Sequence, residues 1–101
     1  MIAIISCSHF PDDERIYYRE IISLHEKNYS IKYFTLSDSK INLNQSGIIH
    51  KNYESSKIPL IKYLEFVEQE LVKDPPQVVH IHEPELFSIA VKMKILFNVK
   101  I

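Results

Sequence analysis

The sequence predicts an α/β domain built on an open parallel sheet with helices on both faces. Three observations carry that prediction. Short β-branched runs alternate with longer segments whose apolar residues recur at helical spacing. The strand runs are apolar almost throughout, as in sheets covered on both sides. Finally, 101 residues with 46% hydrophobic and 25% charged side chains suit one ordered domain and no more.

The elements follow in order. Ile2–Ser6 is too short for a helix and reads as a buried strand. After the connector Cys7–Pro11, Asp12-Asp13-Glu14 opens a helix, its acids offsetting the positive end of the helix dipole. That helix is expected to run to about Lys27, burying Tyr17, Ile21, Ile22 and Leu24. Asn28 occupies the left-handed stop position that asparagine tolerates. Ile31–Leu36 is a second strand, Ser37–Gly47 a polar surface loop and Gly47–Tyr53 a short third strand. Pro59 begins the next helix, where Leu60, Leu64, Val67 and Leu71 form the apolar stripe and Asp74-Pro75-Pro76 the stop. Gln77–His82 is the fourth strand. Glu83-Pro84-Glu85 starts a third helix with Leu86, Phe87, Ala90, Val91 and Ile95 on its apolar face. Asn98–Ile101 reads as the opening of a fifth strand, so the chain is expected to be an incomplete piece of something longer that self-associates through its open edge. The predicted strand order is 3-2-1-4.

Composition removes several functions. Twelve Lys+Arg against thirteen Asp+Glu give a net charge of −1, without the clustered basic face that nucleic acid requires. Cys7 has no partner for an intramolecular disulfide. No apolar run approaches the ~20 residues of a membrane span, and no basic segment precedes Ile2-Ala3-Ile4-Ile5 as in a signal peptide. A cytoplasmic protein is expected, with peripheral association at the inner face of the membrane left open. Gly47 is the only glycine, which excludes both the glycine-rich dinucleotide fingerprint and the P-loop.

In an open parallel sheet, ligands bind beyond the carboxyl ends of the strands at the switch point. That position brings together His9, Asp12 and Asp13 after the first strand and His82, Glu83 and Glu85 after the fourth, with Arg15 on the adjoining helix. Acids at both helix N-termini repel phosphate and suit sugar hydroxyls. His80 shares a face with His82 and reads as a structural histidine, while His25 and His50 read as surface residues. Cys7 reads as a small buried thiol without activation.

Two stretches resemble a known family. His9-Phe10-Pro11-Asp12-Asp13-Glu14-Arg15-Ile16, with Glu20, Ser23-Leu24 and Asn28-Tyr29, is similar to the N-terminal signature of a branch of the family-4 retaining glycosyltransferases. Val78–Leu86 is similar to that family's later strand-to-helix motif. The resemblance implies a Rossmann-like, three-layer N-terminal domain of a GT-B enzyme, residues 1–101, truncated at the fifth strand and inactive alone. It implies transfer of a sugar from a nucleotide-sugar donor, bound by an absent second domain, to a glycan or lipid-linked acceptor. It assigns His82 to catalysis, facing the transferred sugar, and His9 and Asp13 to the acceptor side. Asp12, Arg15, Glu83 and Glu85 complete the expected substrate-binding set. Asn28 stands where the family has glycine, and the family's glycine-rich loop after the first strand is missing. No cofactor and no metal are expected. Two other readings are a non-catalytic flavodoxin-like binding or regulatory module, and a metal centre of Cys7, His9, His82 and Glu83, whose donor types suit zinc.

Overall fold

The computed structural model describes residues 1–8 and 11–101, with the side chains of Glu14 and Arg15 left out. Strands β1 (Ile2–Ile5), β2 (Ile31–Leu36), β3 (Ile48–Tyr53) and β4 (Val78–Ile81) form one all-parallel sheet in the order β3-β2-β1-β4. The register sets Ile5 between Phe34 and Ile81, so the β1 and β4 ends are neighbours, as the strand order predicts. In place of the expected fifth strand stands a single parallel bridge between Val78 and Lys100, with the Val79 N–H donating to Lys100 O at 2.7 Å.

Alternation along the strands splits the core into two layers. Ala3, Ile5, Phe34, Leu36 and Val79 face helices α2 (Leu60–Lys73) and α3 (Phe87–Phe97). Ile4, Ile31, Tyr33 and Ile48 face the first helical segment through Ile16 and Ile21. The architecture is therefore three-layered and Rossmann-like.

The first helix differs from the regular one expected. Glu14–Ile21 is wound as a π-helix and passes into α1, Ile22–Glu26. Hydrogen bonds from i to i+5 stack residues five apart. Ile16 and Ile21 thus come over one another and are both buried, whereas an α-helical turn would set Glu20 above Ile16. Glu20 is displaced toward β4 instead, with consequences described below. The helix ends as expected at Asn28, whose φ of 69° is left-handed.

Three other expectations shift. In α2, Tyr63 joins Val67 and Leu71 in the core while Leu60 is exposed. In α3, a 3-10 turn at Pro84–Leu86 resets the phase, burying Leu86, Ile89, Ala90 and Met93 and leaving Phe87 and Ile95 in solvent. The loop 37–47 is not purely a surface feature. Leu43 is buried, and Asn44 uses its side chain to accept from the His50 N–H at 2.8 Å, closing part of the sheet edge. Gly47 ends the loop at φ 87°, where a Cβ would stand 3.1 Å from the His25 ring.

His50 is buried, not on the surface as its sequence context suggests. Its Nε2 lies 2.8 Å from Thr35 Oγ1, which also donates to Asn52, and its ring stacks on Tyr33. Burial lowers its pKa below the ordinary 6.5. The unfolded chain therefore takes up a proton near pH 6.5 that the folded chain refuses. Stability contributed by this group is full above that pH and declines as pH falls toward the depressed value. Thermal melts at pH 7.5 and 5.5 should show a smaller acid-induced drop for His50→Gln than for the parent; an unchanged drop would contradict the assignment.

Candidate functional site

The site at the carboxyl edge is built from the ends of β1 and β4. Ser6 continues β1, donating its N–H to Phe34 O at 3.0 Å, and the His82 N–H donates to Ile5 O at 3.2 Å. The two following segments therefore leave the sheet side by side.

Glu83 holds them together. Its buried carboxylate accepts from Ser6 Oγ at 2.9 Å, the Cys7 N–H at 3.1 Å, the Ser8 N–H at 3.2 Å and Ser8 Oγ at 3.0 Å. Backbone and hydroxyl donors converging on one carboxylate fix the loop's path. Tyr63 approaches the same loop from α2, its buried hydroxyl donating to Ser6 O at 2.6 Å. Burial raises the Tyr63 pKa far above the ordinary range, so it stays a neutral donor.

Asp13 starts the first helix: its Oδ1 accepts from the Ile16 N–H at 3.2 Å and its carbonyl from the Tyr17 N–H at 2.8 Å. Asp12 is exposed, as are Ser8 and Glu85. His9 lies outside the described residues, as does the side chain of Arg15. Cys7 is half-buried with its thiol 3.7 Å from Glu85 Oε2. Burial first, then the Glu83 and Glu85 charges, push its pKa up to about 12. The thiol should alkylate far more slowly with iodoacetamide at pH 8 in the folded chain than in urea. Equal rates would contradict that environment.

A second constellation adjoins the first. His80 on β4 and His82, one residue past its end, turn their rings to the face covered by the first helix, with centroids 4.8 Å apart. Glu20 spans them: Oε1 is 3.1 Å from His80 Nε2, and Oε2 is 3.2 Å from His82 Nε2. The His82 side chain is 13% exposed and its Nε2 is buried, while His80 is 48% exposed. Among the described residues, Glu20, His80 and His82 are the donors that gather; Cys7 and Glu83 are engaged elsewhere. Sequence reading missed Glu20 in this role because the widened helical turn that aims it cannot be seen in a periodicity. A shallow pocket lined by His25, Asn28, Tyr29, Ser30, Ser46 and Gly47 lies at the opposite end of the strands.

No family model matches the chain, and no curated protein does. Among solved structures, the fold is similar to an L-amino acid ligase from Bacillus licheniformis, with a TM-score of 0.54 and 19% identity. The match covers 97% of this chain and 24% of that one, so this chain spans about a quarter of its neighbour. A likeness at that identity concerns the fold. It also corrects the expected activity: the structural neighbour is a ligase, an enzyme of another class, and the expectation of a retaining GT-B glycosyltransferase is withdrawn. The physical reason is that parallel α/β sheets host many chemistries, so element order carries architecture and not reaction type. No helix among the described residues is long and apolar enough to cross a membrane. What stands is an α/β domain with a four-stranded parallel sheet, flanked by helices.

Proposed function

We propose that this chain is a ligand-binding α/β module that receives a neutral, hydroxyl-rich molecule of carbohydrate type over the carboxyl ends of β1 and β4. The observation that carries this reading is the Glu83 clamp. It fixes the loop after β1 against the segment after β4, so the polar rim is in place before a ligand arrives. The character of the rim supports the ligand class. Ser8, Asp12 and Glu85 are exposed, and segments 6–13 and 82–86 contain neither lysine nor arginine. Carboxylates accept from sugar hydroxyls in charge-assisted bonds and repel phosphate. In this reading Asp12 and Glu85 bind hydroxyls, Asp13 aids them while starting the helix, and Glu83 is a positioning residue. His82 bounds the rim beside Glu20.

Calorimetric titration with a panel of neutral oligosaccharides tests this. Asp12→Asn and Glu85→Gln should each weaken binding about tenfold, the scale of one lost charge-assisted hydrogen bond. Preference for a nucleoside diphosphate over every neutral sugar would contradict the proposal.

A further inference from the structure

The geometry points to a divalent transition-metal site, of zinc type, held by Glu20, His80 and His82. We propose it as a site that meets the carbohydrate rim only at His82, and it does not depend on that reading.

The donor atoms support it. Each residue offers one ligand atom, and the three lie within 4.8 Å of one another. Donors bound at about 2.1 Å around one tetrahedral centre stand about 3.4 Å apart. Each histidine Nε2 already stands 3.1 or 3.2 Å from its own Glu20 oxygen, near that edge, and an ion would draw in the widest donor pair, which is up to 4.8 Å apart. Two imidazoles and a carboxylate are a donor set that borderline divalent ions take readily.

The backbone supports it independently. His80 projects from a strand whose register is fixed by pairing with β1 (Ile4 opposite His80), and His82 follows one residue past its end, held by its N–H on Ile5 O. The carboxylate comes from a different element, aimed there by the π-helical turn that lets Ile21, not Glu20, cover Ile16. Such widened turns recur at functional sites because they redirect a side chain at the cost of helix regularity. His80 is open to solvent while His82 is nearly enclosed, so a bound ion would have one protected side and one open one. Three protein ligands leave a fourth position for water or a small ligand, the arrangement of reactive rather than purely structural zinc.

The simpler account is that Glu20 pairs with two histidines and no ion enters, and the two accounts separate cleanly. The metal-stripped chain is titrated with zinc chloride against a chromophoric chelator. Circular dichroism confirms the fold of each variant. The expected result is one zinc per chain, with His80→Ala and Glu20→Gln each weakening it about 100-fold or more, since even outer-shell partners are worth ~10–100-fold. His80 is exposed, so His80→Ala keeps the test valid if His82→Ala fails to fold. His25→Ala, at the far end of the strands, should leave affinity unchanged. Cobalt substitution should give the visible absorption of a four-coordinate ion, lost in His80→Ala. Failure to bind zinc, or affinity that falls equally in His25→Ala and His80→Ala, would overturn the site. Neither result would touch sugar binding at Asp12 and Glu85.

Discussion

Replacing Glu83 with alanine is expected to destabilise the chain by about 3 kcal/mol. The Ser6 and Ser8 hydroxyls and the Cys7 and Ser8 N–H groups would lose their common acceptor. Water can replace it at exposed Ser8 but not at buried Ser6, so the cost falls short of a full penalty for every donor. Glu83→Gln should cost less, about 1–2 kcal/mol, because the amide keeps one acceptor oxygen. Urea denaturation gives the difference. Hydrogen exchange should quicken first at Ser6–Ser8. A stability loss below about 0.5 kcal/mol for Glu83→Ala, the scale of an ordinary surface change, would remove Glu83 from its positioning role.

The second large effect is expected at Tyr63. Tyr63→Ala empties a fully buried aromatic site between α2 and the sheet and should cost about 4 kcal/mol. Tyr63→Phe removes only the hydroxyl that donates to Ser6 O, and should cost about 1–2 kcal/mol. Glu83 and Tyr63 grip the same residue from different elements, so the double variant Glu83→Gln/Tyr63→Phe should deviate from additivity. Strict additivity would mean that the two grips act on independent structures.

The architecture was largely legible in the sequence, and the reasons are local. Ile2–Ile5 and Val78–Ile81 are short apolar runs bounded by polar connectors, Asp74-Pro75-Pro76 stops a helix, and Asn28 tolerates a left-handed turn. Those features do not depend on what the rest of the chain does. The departures arise where tertiary packing overrides local pattern. Ile16 joined Ile21 at the centre of the buried stripe once the turn widened, leaving Tyr17 half-buried at its margin, and the 3-10 turn at Pro84–Leu86 shifted the phase of α3. His50 reads as exposed beside Lys51 and Asn52, but its ring stacks on Tyr33 and meets Thr35 while Asn44 of the returning loop bonds its backbone.

The candidate site was legible only as a neighbourhood. Right-handed crossovers place the ends of β1 and β4 together, so the rim residues could be named in advance. Their individual tasks could not. Glu83 looked like one more acid at a helix start, and only its convergent donors distinguish it from exposed Glu85. The activity read from motif resemblance did not survive comparison with a ligase on the same fold.

The central claim is that the carboxyl ends of β1 and β4 form the ligand-receiving edge and favour hydroxyls over phosphates. Amide-resolved NMR titration of the intact chain with a neutral oligosaccharide, and separately with a nucleoside diphosphate, tests it most directly. The account predicts saturable shifts from the sugar at Ser6–Ser8, Asp12–Asp13 and His82–Glu85, with none there from the nucleotide. Shifts confined to Tyr29, Ser30, Ser46 and Gly47 at the opposite end, or a nucleotide response at the β1–β4 edge, would contradict it.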